Sequence, residues 1–368
     1  MRRELMITAW FVLVTVWVLA FTALGQLRYV RHWSNAVFPL ASLICINTYV
    51  AAQGNFDIID KSRYALEFES LSFAPFGEVF DSFVTEGREP AFLLFNWTIG
   101  LFTHDARVFF MIAAAACSLM LAITLWVMLG TGWQTTVVFY LTFCFGFFTN
   151  YSSFLLRQGL SISFLLLAAA LVFRRAKVRW VVLLLLIGLL FHWSAAVAAI
   201  LILALRLFRL RLSILLAVWC LLTVTYLTGS NETLAGPLGN VFSDIETYSD
   251  PEVIVEYTGG TNRLDFWVMS AVPVIFGYVA VKKLTFLPDW YSTLVKAYVL
   301  LNCYYIALGF LYFGDRLAVY SWSLTPLVMA VPFLGYEGRG QMLLKPGLVI
   351  GLLIWAAYFG TFENFSIR

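Results

Sequence analysis

The chain has 368 residues, 61% of them hydrophobic and 12% charged, with a mean hydropathy of +0.85. An average soluble domain is roughly half apolar and about a quarter charged, so the composition excludes a soluble globular protein, and an aromatic content of 17% excludes a disordered one. A net charge of only +3 offers no basic field for nucleic acid.

Divided into apolar segments of about 20 residues with short links, the chain reads as all-α: a polytopic membrane helical bundle of roughly 11–12 helices, a single domain over 1–368. The first apolar run, 5–25, is too long for the core of a cleaved leader and lacks a small-x-small exit, so it is expected to be a membrane helix. The run 35–52 is the second.

Between 54 and 103 the pattern changes. Gly54 to Pro90 is the longest polar stretch, yet it carries Phe56, Tyr64, Phe68, Phe73, Phe76, Phe80 and Phe83. Asp60, Tyr64 and Glu67-Phe68 recur at helical spacing. That predicts an amphipathic helix on the outer interface, or a lipid-facing helix with a solvated charged face. Segment 89–103 opens with Glu89-Pro90, which suits a helix N-terminus, and is expected to be re-entrant or interface-lying. The region 54–103 is therefore read as one external segment.

The runs 105–129, 133–150 and 153–173 are continuous rather than alternating, which excludes barrel strands. Residues 178–205 lie between basic clusters at Arg174, Arg175, Lys177, Arg179 and at Arg206, Arg209, Arg211. One helix there would be roughly 42 Å long, against roughly 30 Å of hydrocarbon. It would also place one cluster outside, against the positive-inside tendency. Two short helices turning near Phe191-His192-Trp193 satisfy both constraints.

A run at 212–228 leads into 229–263, where Glu232, Asp244, Glu246, Asp250, Glu252 and Glu256 face a single Arg263; this is expected to be a large external loop. Runs at 264–281, 290–312, 317–334 and 343–360 complete the bundle. Lys282 and Lys283 read as internal, Gly314-Asp315-Arg316 as external. The five cysteines all sit in apolar runs without the paired spacing of a metal site. No internal repeat is visible, so the inverted-repeat signature of many transporters is missing.

Ionisable residues near apolar runs are expensive and therefore informative. On this topology Asp60, Arg88, Glu89, Arg157, His192, Arg263 and Asp315 with Arg316 fall on one side. Arg157, in Leu155-Leu156-Arg157-Gln158-Gly159, reads either as a snorkelling side chain or as a guanidinium held to bind phosphate bidentately. Arg316 carries the same two readings, with Asp315 as a local partner, and Arg263 fits a solvated loop. His192 is either a hydrogen-bonded packing residue or a proton acceptor. There is no Walker loop, dinucleotide fingerprint or HExxH, and no Asp-x-Asp pair to hold a divalent metal on a nucleotide sugar. What survives is an outward-facing, arginine-rich site for a lipid-linked phosphate, without a metal.

An ordered series of motifs resembles the EpsG family, the Wzy-type polymerases of O-antigen and exopolysaccharide. It runs Asp60-x-x-x-Tyr64-x-x-x-Phe68, Arg88-Glu89-Pro90-Ala91-Phe92, Leu156-Arg157-Gln158-Gly159-Leu160-Ser161, Phe191-His192-Trp193-Ser194-Ala195, and Asp315-Arg316 leading to Tyr320. The family more often has Gly or Lys where Arg88 stands and often Ala at Ser161. The resemblance implies a GT-C-like glycosyltransferase in the bacterial inner membrane, with its site facing the periplasm. It would join undecaprenyl-diphosphate-linked repeat units, one such glycan being donor and another acceptor, with no cofactor and with a separate chain-length regulator as partner. Arg157 and Arg316 would then neutralise the leaving diphosphate, with Arg88 and Arg263 as secondary contacts. His192 and Glu89, followed by Asp60, are the groups to orient or deprotonate the attacking hydroxyl. Tyr64, Gln158, Asp315 and Tyr320 are the expected substrate contacts. A lipid-linked oligosaccharide flippase or other transporter, and the related ligase, are the alternative functions.

Overall fold

The computed structural model of the chain describes residues 2–24, 33–53, 59–130, 132–234, 261–311, 314–338 and 341–358. Every regular element among them is a helix. In chain order these are α1 (Arg2–Leu24), α2 (Trp33–Gln53), α3 (Ile59–Ser72), α4 (Phe76–Glu86), α5 (Pro90–Gly100), α6 (Ala106–Leu129), α7 (Trp133–Cys144), α8 (Phe147–Ser153), α9 (Leu156–Phe173), α10 (Val178–Phe191), α11 (Ala196–Leu207) and α12 (Leu212–Leu227). The remaining helices are α13 (Leu264–Lys283), α14 (Tyr291–Ala307), α15 (Gly314–Trp322), α16 (Thr325–Leu334) and α17 (Gln341–Tyr358). Among the described residues, five segments are long and apolar enough to cross a membrane: Ala36–Gln53, Ala106–Leu129, Leu156–Phe173, Leu264–Lys283 and Gly314–Leu334. Exposed Val12, Val16, Leu119, Ile123, Leu221 and Ile275 give several helices an apolar outer surface, the expected finish for a lipid-facing wall. Most of the acidic loop, 235–260, lies outside the described residues, as does Arg339.

One expectation is met in detail. The stretch 178–205 is two helices, α10 and α11, joined at His192 by a single 3-10 turn over Trp193–Ala195. Segment 89–103 contains the 11-residue α5, about 16 Å long.

The run 133–150 is not one span. It breaks at Gly146, whose φ of 71° suits glycine alone, and restarts as α8. A second break at Phe154 brings α8 against the start of α9. There Gly159 lies so close to the Tyr151 carbonyl that a Cβ would sit 1.9 Å from its oxygen. A side chain at 159 would push the two helices apart, and with them the first turn of α9.

The described residues pack as two compact units, Met1–Ala199 with Tyr336–Arg368, and Ile200–Gly335. The first has a core of Phe68, Phe92, Phe109, Phe110, Leu156 and Phe191, with Phe68 and Phe109 stacked at 4.5 Å. Side-chain hydrogen bonds tie its helices where lipid-like surroundings offer no water. Asn47 on α2 donates to Ser118 on α6 and Ser152 on α8, both at 3.0 Å.

Lys61 on α3 is fully buried in this unit. Its ammonium donates to the Ala51 carbonyl in the last turn of α2 at 2.6 Å and faces the Phe110 ring at 4.8 Å. A cation at a helix C-terminus complements the dipole, while burial lowers its pKa to about 8.

The second unit is built around tyrosines and tryptophans with polar tips. Tyr291 donates to Val328 O at 2.7 Å, Trp322 to Ser270 Oγ at 2.9 Å, and Trp219 to Asn302 Oδ1 at 2.7 Å. Each aromatic fills space with its ring and satisfies its polar atom across a helix pair.

Candidate active site

Within the first unit, residues far apart in the chain meet at one carboxylate. Glu89 precedes α5 and occupies its N-cap position, yet its side chain makes no cap hydrogen bond. Both carboxylate oxygens are engaged elsewhere. Oε2 accepts from Arg157 Nη1 at 2.8 Å, and Oε1 lies 3.1 Å from His192 Nδ1.

Arg157 stands in the first turn of α9, where a positive charge opposes the helix dipole. That local cost is offset by the Glu89 ion pair and by a second hydrogen bond, Nε to Tyr64 Oη at 3.2 Å. His192 has extended backbone at the turn between α10 and α11, which releases its ring toward Glu89. The neighbouring Trp193 indole donates to Gly87 O at 3.2 Å and fixes this turn to the loop that carries Arg88 and Glu89. Arg88 in turn pairs with Glu67 on α3 at 2.6 Å.

Burial works to raise the Glu89 pKa, but the His192 hydrogen bond and the Arg157 charge outweigh it and hold the carboxyl at about 2. An ionised Glu89 only accepts hydrogen bonds, so His192 Nδ1 carries the proton in this pair. With Nδ1 turned to Glu89, Nε2 is the ring nitrogen left to meet a hydroxyl. The cluster is not sealed. Glu89 is 9% exposed, whereas Arg157 and His192 keep 25% and 24% of their side-chain surface. The carboxylate is thus an interior anchor, and the guanidinium and imidazole are the groups a substrate can reach.

The other expected site residues are distributed as follows. Asp60 lies half-buried in the first turn of α3, one turn before Tyr64 on the same face. Gln158 is buried beside Arg157.

Arg263, Asp315, Arg316 and Tyr320 belong to the second unit. Asp315 and Arg316 are half-buried in the first turn of α15, and Tyr320 is buried on the same helix. Arg263 is more constrained than a solvated loop residue. It pairs through Nε and Nη2 with Asp265 and lies 3.8 Å over the Phe266 ring, while its carbonyl accepts from Tyr226 Oη at 2.9 Å. Asn262 just before it exchanges side-chain hydrogen bonds with Asn231, both at 2.9 Å.

Three contributors escaped the sequence reading: Glu67 as the partner of Arg88, Asp265 as the partner of Arg263, and the buried Lys61. Glu67 carried a usable signal. It lies three residues after Tyr64, so both occupy one face of α3.

No curated protein and no solved structure matches the chain. A family model, that of the EpsG family, matches residues 36–366, nearly the whole length and more than the 60–320 spanned by the motifs. The protein therefore belongs to the EpsG family, a Wzy-like polysaccharide polymerase family, and is a membrane-embedded polymerase of the glycosyltransferase kind.

Proposed function

We propose that the protein joins lipid-linked oligosaccharide repeat units by glycosyl transfer, with an undecaprenyl-diphosphate-linked glycan as donor and a second lipid-linked repeat unit as acceptor. The observation that supports this most is the Glu89 hub, which holds one guanidinium and one imidazole on a single carboxylate and leaves each about a quarter exposed. A hydroxyl of the acceptor attacks the anomeric carbon of the donor, and the carbon–oxygen bond to the diphosphate breaks. Arg157 meets the negative charge that develops on the leaving oxygen with charge-assisted hydrogen bonds. His192 Nε2 takes the hydroxyl proton, and Glu89 stabilises the imidazolium that forms. Arg88 extends the positive surface along the diphosphate. Tyr64 keeps the Arg157 guanidinium from rotating away. In this scheme arginines supply the charge neutralisation, with no metal.

The site is assigned to the outer face of the inner membrane, where repeat units are polymerised, with a separate chain-length regulator as partner. The external position follows from the basic clusters at 174–179 and 206–211, which flank α10 and α11 and favour the cytoplasm. His192, at the far end of both helices, then faces outward.

His192→Gln keeps the size and one hydrogen bond but removes the titrating nitrogen. It is expected to lower polymer output by about a hundredfold, with lipid-linked single repeat units accumulating and the inserted protein at its normal level. The check is the length profile of lipid-linked glycans extracted from cells that carry the variant. Full-length polymer at the wild-type amount would remove His192 from the mechanism.

A further inference from the structure

We infer that the Arg88–Glu67 ion pair is an exchangeable counter-ion, in which the donor's diphosphate takes Arg88 away from Glu67 and Glu67 takes up a proton in its place. This rests on the proposed diphosphate donor and says how the site accommodates its charge.

The geometry separates the two partners by access. Arg88 keeps 29% of its side-chain surface and Glu67 only 11%, with 2.6 Å between Nη2 and Oε1. An anion arriving from outside therefore reaches the guanidinium without displacing the carboxylate, which is fixed on α3 one turn from Tyr64.

The surrounding charges set the protonation of Glu67. Arg63 and Tyr64 flank it on α3, with Asp60 and Lys61 toward the helix N-terminus. Arg88 and Glu89 face it from the loop before α5, Arg157 from α9, and His192 stands behind Glu89 at the end of α10. On the α6 side the contact is aromatic, Phe68 against Phe109. Burial already raises the Glu67 pKa, and Arg88 is the foremost charge opposing that rise, ahead of Arg157 and Arg63.

A diphosphate diester brings two negative charges and draws on the same arginines. Glu67 is then left buried, beside ionised Glu89 and a second anion, with its main counter-charge withdrawn. Neutralising it by a proton removes a buried unpaired charge and turns its carboxyl into a hydrogen-bond donor toward the phosphate. Binding raises the proton affinity of Glu67, so by linkage the donor binds more tightly as pH falls through the window between the two affinities.

The test is calorimetric titration of the purified full-length protein with a farnesyl diphospho-sugar bearing one hexose, a diester with no titrating phosphate hydroxyl near neutral pH. Repeating it in buffers of different ionisation enthalpy counts the protons. Wild type is expected to take up about one proton on binding. Glu67→Gln should take up none and bind about tenfold more tightly, because no carboxylate competes for Arg88. Arg88→Gln should bind more weakly and also take up none.

Binding without proton uptake in wild type, or uptake that persists in Glu67→Gln, overturns the exchange while leaving the polymerase reading in place. Wild type that does not bind the diester overturns both.

Discussion

Arg157→Ala is expected to lower the rate of glycan joining by about a thousandfold, and Arg157→Lys to recover little of it. The guanidinium makes two separate bonds in fixed directions, Nη1 to Glu89 and Nε to Tyr64, and still keeps a quarter of its side-chain surface open. A lysine ammonium carries the same charge but cannot satisfy Glu89 and Tyr64 in that fork while also reaching a phosphate. The measurement is turnover of lipid-linked repeat units by purified variants, with thermal unfolding in parallel. Both variants should stay folded and accumulate monomeric lipid-linked units. An Arg157→Lys enzyme near wild-type rate would reduce the residue to a generic positive charge.

The second large effect is expected at Glu89. Glu89→Gln preserves shape but removes the anion that compensates Arg157 at the α9 N-terminus and that fixes the His192 tautomer. Rate should fall about a thousandfold, since both reacting groups lose their orientation. Stability should fall by about 2 kcal/mol, because a largely buried guanidinium loses its charged partner. The size lies below that of a fully buried pair because Arg157 remains partly solvated.

The pH dependence follows from the depressed carboxyl. Its folded pKa of about 2 lies below its ordinary 4.5, so its contribution to stability is complete above 4.5 and is lost as pH falls toward 2. Between pH 5 and 9, wild type should show no stability change from Glu89. Below about pH 4 the gap between wild type and Glu89→Gln should narrow. Thermal unfolding of both proteins across this range checks it. A gap that persists unchanged at pH 2.5 would mean that Glu89 is not held as an ion pair.

How much of this was legible in the sequence depends on the range of the forces involved. The turn at His192 was legible because two basic clusters 27 residues apart leave no room for one straight helix between cytoplasmic ends. Helix α5 was legible from Pro90 and from its short apolar run. The break between α7 and α8 was not, since 133–150 is apolar throughout and Gly146 resembles any other tolerated glycine. The left-handed backbone at Gly146, which opens the break, shows only in the folded chain.

The site divides along the same line. Arg157 and His192 announced themselves as costly groups in apolar runs, and Glu89 as a charge before a proline. Their convergence was not legible, because 68 residues separate Glu89 from Arg157 and 103 separate it from His192. Such distances are set by how α5, α9 and α10 pack, not by any local periodicity. Asp265 was hidden for the opposite reason. An acidic residue in the first turn of a helix is ordinary for the dipole alone, so its pairing with Arg263 adds nothing visible to the pattern.

The central claim is that one chain, by itself, forms glycosidic bonds between lipid-linked units at the Glu89 hub. The most direct measurement is to reconstitute the purified protein with single lipid-linked repeat units, without nucleotide sugar, ATP or ion gradient, and to resolve the products by length. A ladder of lipid-linked oligomers, absent with Arg157→Ala, is the predicted result. Units that cross the bilayer with no new bond formed would contradict the claim and identify a transporter instead.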